Sequence, residues 1–244
     1  MFGFLQQMPL SRCPLCMAAA APRQFCAGCQ KDILQARHAP LTACPQCHLP
    51  LPSRLGLHAT CPQCHHLKPV IQRIDFLFYH HAPLDSLVLR FKNAREIYLA
   101  ECFAQLFKQS LTPYWPSAER PSLIPIPANP KALQRRGYNP PTELARALSK
   151  VFHLPLAPFV LYKNPSVTEQ KNLSALHRQQ HMTDRFYCLQ ALQQPHLILV
   201  DDVMTSGATL NAAARALFAA GAQRVDAIVI SRALSHDPDH PIAS

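Results

Sequence analysis

Eight of the ten cysteines fall between Cys13 and Cys64, as four pairs of the form C-x-x-C: Cys13 and Cys16, Cys26 and Cys29, Cys44 and Cys47, Cys61 and Cys64. Two thiols at this spacing converge on one ion, and two such pairs complete a tetrahedral Zn–S4 site. A segment this short buries little apolar surface, whereas structural zinc supplies roughly 10–16 kcal/mol of apparent binding energy. The spacing therefore predicts that metal folds residues 1–69 into a small cysteine-rich domain. Neighbouring pairs are expected to share an ion, with Cys13, Cys16, Cys26 and Cys29 at one site and Cys44, Cys47, Cys61 and Cys64 at the other. Crossed pairing would enlarge the closed loops about threefold, which costs only about 1 kcal/mol per site by loop-closure entropy.

Competing uses of these cysteines are weaker. The runs Cys44-Pro45-Gln46-Cys47-His48 and Cys61-Pro62-Gln63-Cys64-His65 match a haem-attachment motif, but Met17 and Gln30 follow the other two pairs. Haem attachment also needs export, and residues 1–7 have neither a basic start nor an apolar stretch of the length a signal peptide needs. The expected location is the cytoplasm, where thiols stay reduced and a disulfide framework is disfavoured. Thioredoxin-like chemistry needs a pair opening a helix after a strand, which the sequence does not suggest. Cys102 and Cys188 stand alone and read as core residues. No run reaches the roughly 18 apolar residues of a membrane span.

The formal net charge of +10 invites a nucleic-acid partner. Each Zn(Cys)4 centre carries −2, so two of them lower +10 to +6. All of that correction falls on the N-terminal segment.

Residues 70–244 alternate between strand and helix patterns. Phe76–Tyr79, Ser122–Pro127, Ala157–Tyr162, Leu197–Val200 and Val225–Ile230 read as strands, and the helices between them are expected near 84–91, 97–111, 144–151 and 209–220. The uninterrupted apolar run Leu197-Ile198-Leu199-Val200 is that of a strand covered on both faces. This alternation predicts an α/β domain with a mostly parallel sheet, right-handed crossovers and helices on both faces.

At the end of that buried strand stands Val200-Asp201-Asp202-Val203-Met204-Thr205-Ser206-Gly207-Ala208-Thr209. Ligands bind at this end of open α/β sheets. Thr205, Ser206 and Thr209 offer hydroxyls, Gly207 and Ala208 keep the backbone accessible, and the helix start supplies unpaired N–H groups for a phosphate. Adjacent carboxylates suit ribose hydroxyls. A pentose phosphate satisfies both halves. The chain has neither G-x-x-x-x-G-K-[ST] nor G-x-G-x-x-G, so P-loop and dinucleotide folds have no foothold.

The strand-Asp-Asp-Val-x-Thr-Ser-Gly-Ala-Thr pattern resembles the phosphoribosyl-pyrophosphate signature of type I phosphoribosyltransferases. Adding Pro125-Ile126-Pro127, Arg136-Gly137-Tyr138-Asn139, and Thr168-x-Gln170-x-x-Leu173 with Arg178, the chain resembles the ComF/GntX family of competence and DNA-utilisation proteins, which carry an N-terminal double zinc ribbon. Pro140 stands where that pattern has Gln, and His181 where it has Asn. The resemblance implies that Asp201 and Asp202 hold the ribose hydroxyls and Thr205, Ser206, Gly207, Ala208 and Thr209 cradle the 5′-phosphate. It further implies that Lys131, Arg135 and Arg136 grip a pyrophosphate bridged by Mg2+, and that Thr168, Gln170 and Arg178 belong to a mobile loop.

Three functions follow as expectations. The first is a protein of extracellular-DNA uptake or use that binds phosphoribosyl pyrophosphate or a nucleotide and contacts single-stranded DNA or DNA-handling proteins. The second is a nucleobase-salvage phosphoribosyltransferase that releases pyrophosphate. The third is an inactive scaffold whose zinc module binds DNA or protein. With the cations at 131–136 committed to pyrophosphate, Arg12, Arg23, Arg37 and Arg54 are the expected DNA contacts.

Overall fold

The computed structural model describes residues 11–36, 43–52, 54, 59–115, 120–164 and 185–234. The chain begins with β1 (Ser11–Arg12), β2 (Ala19–Ala20), α1 (Ala27–Gln35) and α2 (Pro62–Leu67). It continues through β3 (Ile74–Tyr79), α3 (Leu84–Asn93), α4 (Leu99–Ser110), β4 (Ser122–Pro125), α5 (Pro130–Arg136) and α6 (Pro140–Phe152). The last elements are β5 (Leu161–Lys163), β6 (Phe186–Cys188), β7 (His196–Met204), α7 (Ala208–Ala219) and β8 (Arg224–Arg232).

Four strands form one parallel sheet in the order β3-β8-β7-β4. The apolar run of β7 is buried from His196 to Val200, as expected of a strand covered on both sides. Its alternation divides the core. Ile198 and Val200, with Ile228 and Ile230 of β8, pack against Phe91, Phe103, Leu144 and Leu148 from α3, α4 and α6. Leu197 and Leu199, with Val225 and Val229, pack against Leu210, Ala213 and Leu217 of α7. Helices thus cover both faces of the sheet.

The strand ends carry the functional contrast. At the N-terminal edge, Asp226 accepts from His196 Nε2 at 2.7 Å and Arg224 Nε at 2.9 Å, and Arg73 lies 4.0 Å from the Tyr114 ring centroid. These charges largely pair with one another, with one Asp226 oxygen left without a hydrogen bond among the described residues. The C-terminal edge gathers the loops after β3, β4 and β7, beside Asp201 and Asp202 in the last part of β7.

Several elements differ from the sequence expectation. The segment expected as a strand from Ala157 is one arm of a short antiparallel hairpin, β5 with β6, outside the main sheet. β7 runs through Asp202 to Met204, so the acidic pair lies within the strand. Lys131 to Arg136 form a short helix of their own, ended by Gly137 in the left-handed region at φ 79°. Pro140 is the first residue of α6, where a missing N–H breaks no intrahelical bond.

The cysteine segment packs onto this domain. Cys13, Phe25, Cys29 and Ile33 share an apolar cluster with Leu77 and Phe103, and the Phe25 and Phe103 rings lie 6.1 Å apart. Cys44, Cys47, Cys61 and Cys64 join the cluster on the other face, with Ile74 and Tyr79.

Candidate sugar-phosphate site and metal centres

Each cysteine tetrad is built the same way. Its first pair lies on a tight turn closed by Met17 N to Cys13 O at 3.0 Å, or by His48 N to Cys44 O at 2.8 Å. Its second pair opens a helix, Cys26 preceding α1 and Cys61 preceding α2, a feature not legible in the sequence. The four Sγ atoms of Cys13, Cys16, Cys26 and Cys29 lie within 4.8 Å of one another, as do those of Cys44, Cys47, Cys61 and Cys64. Cys16 and Cys26 are 3.5 Å apart and Cys47 and Cys61 are 3.6 Å apart. A tetrahedron with Zn–S bonds near 2.3 Å sets its sulfurs about 3.8 Å apart, so the residues fit the ion. Without an ion, the thiols hydrogen-bond to one another. A hydrogen bond from Cys64 holds Cys47 down, to about 4, and the same contact pushes Cys64 up. A cation resolves that competition.

The acidic pair sits at the C-terminal edge of the sheet. Asp202 is buried and pairs with Lys92 Nζ at 3.0 Å. Asp201 Oδ1 accepts from the Asp202 backbone N–H at 2.9 Å. Burial, then the neighbouring Asp202 charge, push the Asp201 carboxyl up to about 8, partly offset by Lys92 and Lys163. His80, directly after β3, bonds Ser231 Oγ at 3.0 Å and is lowered by burial, within the field of Lys92 and Asp202.

Beyond the pair, Thr205 is exposed and Ser206, Gly207, Ala208 and Thr209 are partly exposed, leading into α7. Ser206 Oγ accepts from Ala208 N–H at 3.2 Å, which shapes the turn. Gly207 has φ 76°, and a Cβ there would meet nothing nearer than Met204 Sδ at 3.7 Å. The glycine is therefore required by the left-handed backbone rather than by crowding.

Next to Lys92, the partner of Asp202, begins a cavity of about 430 Å3 lined by Asn93, Arg95, Arg135, Arg136 and Tyr138, the last within the field of Asp202. Arg136 Nε is buried with no hydrogen-bond partner among the described residues, a donor left for a ligand. Tyr138 donates its hydroxyl to the Phe91 carbonyl, and Asn139 Nδ2 donates to the Ile126 carbonyl at 2.9 Å. These two bonds fix the Arg136–Asn139 turn against α3 and the end of β4. Lys131 is exposed at the start of α5, where its backbone N–H is capped by Asn129 Oδ1 at 2.9 Å; its side chain does not line the cavity. A larger cavity of about 850 Å3 lies between the β5–β6 hairpin and the C-terminal half of α7, but no carboxylate lines it. Thr168, Gln170 and Arg178 lie outside the described residues.

Nothing in the sequence singles out Lys92, Asn93, Arg95, Lys163 or His80. Lys92 to Arg95 carry only a faint signal, a cation-bearing turn ending an amphipathic helix.

The phosphoribosyl transferase domain family matches residues 132–240. Over 225 residues the chain is 27% identical to Competence protein F of Haemophilus influenzae, covering 87% of this chain and 92% of that one. It is 26% identical over 200 residues to DNA utilization protein YhgH of Escherichia coli K12, covering 79% and 85%. Competence protein ComFC of Bacillus subtilis aligns at 27% over 132 residues, 54% of this chain and 52% of that one. These similarities support the reading of the chain as ComF-like.

The parallel sheet with this domain match is phosphoribosyltransferase-like, and each tetrad brings four thiols close enough together to hold one ion. Among the described residues, no helix is long and apolar enough to cross a membrane.

The strained acidic pair gives a pH prediction. Asp201 has a folded-state value above its unfolded one, so the stability it contributes is full below about pH 4 and declines as pH rises toward about 8. Asp201→Asn removes that decline. Its Tm advantage over wild type is expected to be absent at pH 4, to grow through pH 6, and to level off above pH 8 at several °C. Thermal melts across that range check it, and a Tm difference independent of pH would contradict the raised folded-state value of Asp201.

Proposed function

We propose that this protein binds phosphoribosyl pyrophosphate, or a nucleotide sharing its ribose 5-phosphate, and acts in the use of extracellular DNA. The observation carrying this is the adjacency of three chemistries. Asp201 and Asp202 offer acceptors for sugar hydroxyls, and Thr205 to Thr209 offer hydroxyls and helix N–H groups for a phosphate. The cavity of Arg135 and Arg136, with the unpartnered Arg136 Nε, offers cations for a second phosphate group. Mg2+ would bridge the pyrophosphate and neutralise part of its charge. The two tetrads would hold structural zinc, with residues 1–69 as a zinc-folded unit on a phosphoribosyltransferase-like domain of residues 70–244. Binding of phosphoribosyl pyrophosphate with and without Mg2+ tests the ligand. Release of pyrophosphate on adding a nucleobase would instead establish a salvage transferase.

The DNA role follows the names of the relatives, and the side-chain geometry narrows the cations available for it. Arg23 is held by both Glu101 oxygens at 2.7 Å, and Arg12 donates to the Met17 carbonyl at 3.3 Å. Arg54 is exposed, and Arg37 lies outside the described residues. Neutralising Arg12, Arg37 and Arg54 is therefore expected to flatten the log–log dependence of single-stranded DNA affinity on salt, by about 0.7 for each DNA phosphate that no longer meets a cation. Arg23→Gln should act mainly on stability. A slope unchanged by the triple variant, or no DNA binding at low salt, places the DNA contact on a partner protein and makes the cysteine module its docking surface.

A further inference from the structure

Arg232, the last residue of β8, is the largest fully buried side chain, with 0% of its surface exposed. A buried guanidinium needs an anion and partners for its N–H groups. No carboxylate pairs with it among the described residues. Its partners instead belong to two places far apart in sequence. Nε donates to the Cys47 carbonyl at 2.8 Å, and Nη2 lies 3.6 Å from Cys47 Sγ. Nη1 donates to the carbonyls of Thr205 and Ala233 and lies 3.4 Å from that of Met204. One planar fork therefore joins a ligand of the second tetrad to the residues that begin the Thr205–Thr209 loop. Metal bound by the four thiolates makes that tetrad a dianion, which is the missing countercharge for the buried cation. The first tetrad has no such link, since Cys13 and Cys29 pack on the other face of the sheet.

We infer that Arg232 is a positioning residue that couples metal occupancy of the Cys44, Cys47, Cys61 and Cys64 site to the conformation of the Thr205–Thr209 loop. Metal draws the guanidinium toward Cys47, which fixes the two carbonyls at the loop entrance. Without metal, the buried cation loses part of its countercharge and the fork no longer has one favoured position. Coupling of this kind is reciprocal, so a ligand that orders the loop also slows metal loss from this tetrad. That last clause rests on the proposed sugar-phosphate site, whereas the coupling itself does not.

Hydrogen exchange on the full-length, metal-loaded chain tests the coupling without any ligand. Cys61→Ser, which opens the second tetrad, is expected to speed exchange of the 204–209 amides about tenfold, the scale of one charge-assisted hydrogen bond removed. Cys16→Ser, which opens the first tetrad, should leave those amides unchanged. Arg232→Lys keeps a charge beside Cys47 but lacks the fork. It should retain two metal equivalents and the exchange rates of β7 and β8 while loosening 204–209. Loop exchange unchanged in both Cys61→Ser and Arg232→Lys would overturn the inference, as would equal loosening in Cys16→Ser or a rise spread over the whole sheet. A loosened loop in a chain that binds no ribose 5-phosphate, wild type included, would support the coupling and count against the sugar-phosphate reading.

Discussion

Stripping the metal with a strong chelator is expected to lower the Tm of the whole chain by more than about 10 °C, not merely to unfold residues 1–69. Each structural zinc supplies roughly 10–16 kcal/mol of apparent binding energy, a sum comparable to the 5–15 kcal/mol that separates a typical domain from its unfolded state. That energy is not confined to the N-terminal segment. Phe25 and Ile33 are 2% and 0% exposed because they lie among Leu77, Phe103 and Phe107, so unfolding α1 uncovers α4 and the first strand of the sheet. The second tetrad is tied to the opposite face through Tyr79, whose hydroxyl donates to the His48 carbonyl at 2.8 Å, and through Asn211, whose Oδ1 accepts from Val70 N–H at 2.8 Å. Calorimetric melts with and without chelator, alongside metal analysis, measure the effect. A main transition that stays in place would make the tetrads appendages, and iron or no zinc in the purified chain would remove the Zn–S4 assignment.

Asp202→Asn is expected to weaken phosphoribosyl-pyrophosphate binding by about 1–3 kcal/mol, roughly 5- to 150-fold, because a charged acceptor for a ribose hydroxyl becomes a weaker neutral one. The substitution also frees Lys92, which pairs with Asp202 at 3.0 Å in the native chain. Asp201 remains beside the freed lysine as an alternative partner, so folding should change little. Equilibrium binding of the variant checks the magnitude, and wild-type affinity would show that the acidic pair does not touch the sugar.

The main sheet is legible because β7 and β8 are uninterrupted apolar runs, and a strand buried on both faces leaves that mark on sequence. The acidic pair and its following helix are legible because they are contiguous. The pairing of β5 with β6 escapes because each is three residues long and they lie more than twenty residues apart in the chain, too little local pattern to declare a pair, although the sequence predicts a strand near β5. Arg232, Lys92 and Lys163 escape for a different reason. Each is an isolated cation in sequence, and its role arises only where parallel register sets Arg232 beside Met204, α3 brings Lys92 to Asp202, and the hairpin carries Lys163 toward Asp201. Gly207 reads from sequence as a site of close backbone approach, but its φ of 76° shows that backbone conformation fixes the residue.

Titration calorimetry of the intact, zinc-loaded chain with phosphoribosyl pyrophosphate and Mg2+ tests the central claim most directly. One saturable site per chain is expected, stronger with Mg2+ than without and stronger for phosphoribosyl pyrophosphate than for ribose 5-phosphate, which cannot reach Arg135 and Arg136 with a second phosphate group. A folded, zinc-loaded chain that gives no saturable binding of either compound would contradict it.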